Sequence, residues 1–274
     1  MTVAALVVGT VAVQANAETV TFKSGSYADF RQIFSREAAT ATVTIAATLA
    51  FPDQARDRYP AVVVVHTIAG YLEANEGWHA VEFRKAGFVT LTNDSPAARS
   101  MRQTSSVGSS GGPPWGSAVA EAYAALRLLA SDPRIDASRI AIVGFSFGGE
   151  VAHLAAFERL RAALVPDQTR FAAHVAYYPA GVYGAVAEQG AYTGASILLL
   201  LGEKDDNLPI AKARHVRNSL QHPKDSGQGL SYAVRCFDEA GNLPVFILGH
   251  PQFGLESARD VGTSLAFLGG KTPQ

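Results

Sequence analysis

At 274 residues, 48% of them hydrophobic and 17% charged, the chain can bury a large core, which excludes a disordered or fibrous polymer. Twenty-three basic residues against 24 acidic ones leave a net charge of −1, which supplies no field to gather a polyanion, so no nucleic-acid partner is expected. The single cysteine, Cys236, offers no intramolecular disulfide, and no Cys/His spacing resembles a zinc site; no metal is expected and stability must come from packing.

Residues 1 to 17 carry no charge, hold an apolar stretch from Val3 to Val13, and end Ala15-Asn16-Ala17, the small-x-small pattern that a signal peptidase accepts. The segment reads as an export signal, although no lysine or arginine precedes the apolar run. Residues 18 to 274 would then form one domain in the periplasm or outside the cell; the alternatives are a misassigned start, which would make the protein cytoplasmic, or a segment that is an ordinary strand. The apolar stretch falls short of the ~20 residues needed to span a bilayer, so no membrane anchor is expected.

Thr19 to Lys23 predicts a first strand, and Tyr27, Phe30, Ile33 and Phe34, at three- and four-residue steps, predict a short helix or ordered loop. Ala41 to Ala50 alternates and reads as a strand. Ala61 to Val65 is a continuous apolar run, the pattern of a central parallel strand buried on both faces. Glu73 to Lys85 predicts a helix closed by Gly87, and Phe88 to Thr92 the next strand. Residues 95 to 116, rich in Ser, Gly and Pro, predict a loop.

Ser117 to Ala130 then predicts a helix, Arg139 to Val143 a strand, and the stretch from Gly148 to about Leu160 a helix. Further strands are expected at Ala172 to Tyr178, Ser196 to Leu201 and Ser231 to Phe237, with helices at Pro209 to Leu220 and Leu255 to Leu268. This alternation implies a mostly parallel sheet with helices on both faces.

Ile140 to Gly149 reads as a buried strand, a Gly144-Phe145-Ser146-Phe147-Gly148 turn and a helix start. A serine at such a turn is forced into a strained backbone state that exposes its hydroxyl, and the glycines let strand and helix approach closely. Gly108-Ser109-Ser110-Gly111-Gly112 also fits Gly-x-Ser-x-Gly, but no strand precedes it and no helix directly follows. Context selects Ser146 as the nucleophile.

A hydroxyl needs a base, and the base an acid to orient it. In α/β-hydrolases these follow in the order serine, acid, histidine. Of the histidines after the helix of Ser146, His215 falls in a predicted solvated helix, His222 in its polar exit, and His174 inside a strand, where a satisfied core histidine is the usual reading. His250, in the loop Gly249 to Gly254 before the last helix, is the expected base. Asp205, just past the strand that ends at Leu201, is the preferred acid; Asp206 and Asn207 better suit a cap on the helix at Pro209.

Gly144-Phe145-Ser146-Phe147-Gly148-Gly149, the Gly202-x-x-Asp205-x-x-x-Pro209 segment and Gly249-His250-Pro251-Gln252-Phe253 together resemble the dienelactone hydrolase family of α/β-hydrolases, over roughly residues 40 to 270. The resemblance implies an oxyanion-hole amide from the loop after the third strand, here His66-Thr67-Ile68-Ala69-Gly70, which makes Ile68 N–H the expected partner of Phe147 N–H; His66 is expected to shape that loop. The enzymes that give the family its name use cysteine where this chain has Ser146, a glutamate near Thr67, and arginines on a substrate carboxylate, one soon after the histidine, where this chain has Gln252-Phe253-Gly254. Dienelactone itself is therefore not the expected substrate, and the serine favours general esterase chemistry, on an ester whose uncharged acyl group suits an aromatic, low-charge pocket. Tyr71, Trp115, Tyr178 and Phe253 are candidate walls of its pocket.

The expected reaction is acyl transfer to water on a small-molecule ester or lactone, with no cofactor. A peptidase or acyl-carbohydrate esterase on the same fold is a second reading, and an exported binding protein with a vestigial site a third. The oligomeric state is left open.

Overall fold

The computed structural model describes residues 17–101, 112–179, 192–202 and 232–237; the expected helices at 209 to 220 and 255 to 268, and the export segment up to residue 16, lie outside them. Among the described residues the strands are β1 (Ala17–Ser26), β2 (Ala41–Ala50), β3 (Tyr59–Val65), β4 (Val89–Asn93), β5 (Ile135–Phe145), β6 (Ala173–Tyr177), β7 (Ser196–Gly202) and β8 (Tyr232–Phe237). They form one sheet in the order β1-β2-β4-β3-β5-β6-β7-β8. Pairing is antiparallel only for β1 with β2 and β2 with β4; all other neighbours run parallel.

The apolar runs explain the centre of the sheet. Val63, Val65, Ile140 and Ile142 face one layer, where helices α4 (Trp115–Ser131), α5 (Phe147–Leu154) and α6 (Glu158–Leu164) supply Val119, Leu126, Val151 and Leu160. Val62, Val64, Ala141 and Val143 face the other, against Phe83 of α2 (Trp78–Lys85). A strand buried on both faces must be apolar throughout, as β3 and the second half of β5 are. In β2 the alternation instead buries Ile45, Ala47 and Leu49 and leaves Thr44, Ala46 and Thr48 exposed, as suits an antiparallel pair with one wet face.

Three expectations are corrected. The helix expected over Glu73–Lys85 begins with a single π-helical turn, Glu73–Gly77, in which Gly77 N–H reaches the Leu72 carbonyl at 3.2 Å. The loop from residue 95 opens with a short helix, α3 (Ser95–Ala98), started by the Asp94 carboxylate accepting from Ala97 N–H and by Pro96 in the first turn. The helix expected to run to Leu160 breaks into α5 and α6. Tyr123 hydroxyl donates to the Ala155 carbonyl at 2.6 Å and Thr193 N–H to the Ala156 carbonyl at 2.8 Å, so the two carbonyls that would continue the helix are already engaged. The remaining short helix, α1 (Phe30–Phe34), is capped by Asp29, whose carboxylate accepts from Gln32 N–H.

Candidate active site

Ser146 lies between β5 and α5, at the carboxyl end of a central strand. Its backbone has φ 51° and ψ −109°, a left-handed state that a side chain resists. Ser146 N–H donates to the Tyr177 carbonyl at 2.9 Å, and its own carbonyl accepts from Glu150 N–H at 3.0 Å, so strand β6 and helix α5 hold the strained residue from both sides. From Ile140 to Ala156, Ser146 is the one residue that is not buried.

The flanking glycines are required by contact. A Cβ at Gly144 would stand 1.9 Å from the Gly148 carbonyl oxygen, and one at Gly149 2.5 Å from that of Tyr177. Both neighbours are backbone, and neither can yield. The turn therefore has the form of a nucleophile elbow.

The loop after β3 packs beside this turn. Gly70, at φ 90°, donates its N–H to the Thr67 carbonyl at 3.1 Å and closes a tight turn over Ile68 and Ala69. A Cβ at Gly112 would meet Ile68 Cγ1 at 3.0 Å and the Phe147 ring at 3.7 Å, so these two residues flank one point. Among the described residues, neither Ile68 N–H nor Phe147 N–H has a backbone acceptor.

His66 is fully engaged as a structural group. Its Nε2 accepts from Ser95 N–H at 3.1 Å, which leaves Nδ1 as the donor to the Thr67 carbonyl. Burial holds its pKa below the ordinary histidine value. Beyond it, Ser95 hydroxyl donates to Glu121 at 3.0 Å and accepts from Arg99 at 2.7 Å, and Arg99 and Glu121 form a buried ion pair. Burial pushes the Glu121 carboxyl up, and the Arg99 charge opposes that shift.

Glu76, a residue that sequence reasoning missed, is fully buried within the π-helical turn. Its Oε1 accepts from Thr67 N–H and its Oε2 from Leu72 N–H, both at 2.9 Å. Burial raises its pKa, and the two N–H bonds offset part of the rise. A glutamate one helical step from charged neighbours reads as solvent-facing in any periodicity argument, so nothing in the sequence marks it.

Of the expected pocket aromatics, Trp115 stacks on Phe147 with ring centres 4.3 Å apart. Tyr178 follows β6, half-buried, with φ 35°, and its N–H donates to the Leu200 carbonyl at 2.7 Å. Tyr71 turns its hydroxyl to Glu73 at 2.8 Å and lines a separate cleft of about 420 Å³ with Arg84, Thr92 and Asp94. His174 is a buried core residue: Nδ1 meets the Ala152 carbonyl at 2.9 Å, tying β6 to α5, and burial lowers its pKa to about 4. Asp205, His250 and Phe253 lie outside the described residues. No cluster of His, Cys, Asp and Glu able to hold a metal ion occurs among the described residues.

The family model of the dienelactone hydrolase family matches residues 45–242, most of the chain. The chain belongs to the dienelactone hydrolase family. No curated protein sequence matches it. Among solved structures it is similar to a Klebsiella pneumoniae subsp. pneumoniae protein provisionally assigned as a dienelactone hydrolase, at 18% identity and a TM-score of 0.59, with 92% of this chain and 98% of that one covered. It is also similar to P91, a dienelactone hydrolase-like promiscuous phosphotriesterase from metagenomic libraries, at 14% identity and a TM-score of 0.59, covering 93% and 98%. Esterase 2 of Thermogutta terrifontis, in a form phosphorylated by paraoxon, gives 17% identity and a TM-score of 0.61, covering 85% and 92%. At these identities the structural likeness establishes the α/β-hydrolase fold, and the family match makes the chain a hydrolase by membership.

Proposed function

We propose that this family member is a serine hydrolase that cleaves uncharged carboxylic esters or lactones through an acyl-enzyme. The observation that carries the reading is Ser146 itself, a strained and partly accessible hydroxyl at the end of a buried strand, wedged between residues that are all buried. Proteins spend strain of that kind where a side chain must be presented.

In this reading Ser146 Oγ attacks the substrate carbonyl while His250 takes its proton, and Asp205 orients the imidazole and balances its charge. The negative oxygen of the tetrahedral intermediate is received by Ile68 N–H and Phe147 N–H. Collapse expels the alcohol, protonated by His250; water then repeats the sequence on the acyl-enzyme and frees the acid. Asp205 and His250 enter from their order and spacing in the sequence. Trp115 stacked on Phe147, with Tyr178 across β6 and Phe253 after the base, would form a low-charge wall suited to an uncharged acyl group. Tyr71, bonded to Glu73 and lining a separate cleft, would stand outside this wall. Residues 1 to 17 would direct export, with Glu18 as the new amino terminus.

Two structural neighbours support an ester-like substrate: one is an esterase and the other a phosphotriesterase. The test is hydrolysis of short p-nitrophenyl esters by the wild type and Ser146→Ala, with paraoxon labelling followed by mass spectrometry. Turnover and a phosphoryl adduct on Ser146 are expected in the wild type alone. Turnover retained in the folded alanine variant would overturn the assignment.

A further inference from the structure

We propose that Glu76 is a positioning residue that aims the Ile68 amide at the reacting carbonyl oxygen; the catalytic part of this inference rests on the function proposed above. The two oxygens of one carboxylate hold the two ends of a single six-residue segment, Oε1 on Thr67 N–H and Oε2 on Leu72 N–H. Between those anchors, Gly70 N–H closes the turn onto the Thr67 carbonyl. Ile68 therefore follows directly after a pinned amide and lies inside a closed turn, with its own N–H left without a backbone acceptor among the described residues.

The chemistry of the clamp argues for a purpose beyond holding the chain. A fully buried carboxylate is costly, and among the described residues Glu76 has no cationic partner to offset that cost. Because each N–H sits on a different oxygen, a neutral amide in the same place would turn an acceptor to one and an NH2 donor to the other, whereas a carboxylate accepts from both. Its position is set by the π-helical turn, whose wide i to i+5 closure between Gly77 N–H and the Leu72 carbonyl brings residue 76 back under the loop. His66 Nδ1 bonds the Thr67 carbonyl, which shares a peptide unit with Ile68 N–H, so residue 67 is fixed at its N–H by Glu76 and at its carbonyl by His66. A donor intended for a transition-state oxygen needs this rigidity, since displacement of about 1 Å can cost on the order of 100-fold in rate.

Two measurements test the proposal. The first is amide hydrogen exchange of the wild type resolved by residue: Thr67 and Leu72 should exchange at least tenfold more slowly than Ile68 and Ala69 in the same loop. Fast exchange at Thr67 and Leu72 overturns the clamp whether or not the protein hydrolyses esters. The second is steady-state kinetics of Glu76→Gln and Glu76→Ala on p-nitrophenyl acetate. The expected loss in kcat is about tenfold for glutamine, which keeps one acceptor, and about 100-fold for alanine, with KM changed less than threefold. Paraoxon should still mark Ser146 in both variants. An unchanged kcat in either folded variant, or a loss carried by KM alone, overturns the positioning role. Failure of the wild type to hydrolyse esters or to react at Ser146 would defeat the proposed function instead, and the exchange rates would still decide the clamp.

Discussion

A Cβ added to Gly148 would stand 2.3 Å from the carbonyl oxygen of Val65, so the first turn of α5 rests directly on the end of β3. That contact sets the Phe147 amide beside the loop beginning at His66, and no flexible side chain lies between to absorb a change. Gly148→Ala should therefore destabilise by about 1–3 kcal/mol, the range for overpacking. The melting temperature should fall by roughly 2–12 °C, with a loss of kcat as the Phe147 amide is displaced. Gly112→Ala is the control: its Cβ would meet side chains alone, Ile68 at 3.0 Å and, at ordinary contact distance, the Phe147 ring at 3.7 Å, and no backbone atom. Calorimetry of the two variants checks this; equal melting points would contradict the packing described.

Presenting the Ser146 hydroxyl costs backbone strain. A non-glycine residue held in a sparsely populated region costs about 1–3 kcal/mol, and glycine is free of most of it. Ser146→Gly should be inactive yet more stable than the wild type by about 1 kcal/mol, raising the melting temperature by roughly 2–4 °C. Ser146→Ala keeps a Cβ and with it the strain, so its melting point should stay at the wild-type value. Thermal denaturation of the three proteins decides it, and matched melting points for glycine and alanine would remove strain from the account.

The elements that could be read from sequence are those whose side-chain period is imposed by one neighbour on each face. β2 was legible to the residue, because its alternation from Ala41 to Ala50 has one dry and one wet side. β3 and the end of β5 were legible as unbroken apolar runs, and the elbow followed from Gly144, Ser146 and Gly148 standing after such a run. The break between α5 and α6 was not, because it depends on Tyr123 and Thr193, distant in sequence, bonding the carbonyls of Ala155 and Ala156. The buried polar groups were hidden for a related reason. Glu76 and Glu121 sit on helical segments with ordinary spacing, and only the backbone amides, Ser95 and Arg99 that meet them in space reveal that they face inward.

The Arg99–Glu121 pair is buried, with 10% and 4% of the two side chains exposed, and Ser95 bridges it to the ring of His66. Removing one partner strands a charge in a largely buried place. Arg99→Met should cost about 3–5 kcal/mol, the range for breaking a buried pair from one side. The double variant Arg99→Met with Glu121→Leu should recover much of that loss, because replacing both partners by apolar groups leaves no orphaned charge. Urea denaturation of the two single variants and the double variant forms the test; strict additivity would show that the pair does not act as a unit.

His79 gives a pH dependence with a definite sign. Its ring lies 4.4 Å from that of Phe145 and 5.4 Å from that of Tyr177, Nδ1 has no hydrogen-bond partner among the described residues, and burial lowers its pKa to about 3. The unfolded chain takes up this proton near pH 6.5, and the native state only near pH 3. Between those values the unfolded state holds more protons, so the contribution of His79 to stability is complete above pH 6.5 and is lost as the pH falls. The slope approaches about 1.4 kcal/mol per pH unit. His66 and His174, also lowered, act in the same direction, whereas Glu76 and Glu121, raised, act in the opposite one. All four remain in His79→Phe, and their effects cancel when it is compared with the wild type. The variant should gain about 2 kcal/mol relative to the wild type between pH 7 and pH 5, measured by urea denaturation at both values. A difference that stays constant with pH would mean that the imidazole titrates alike in the folded and unfolded chains.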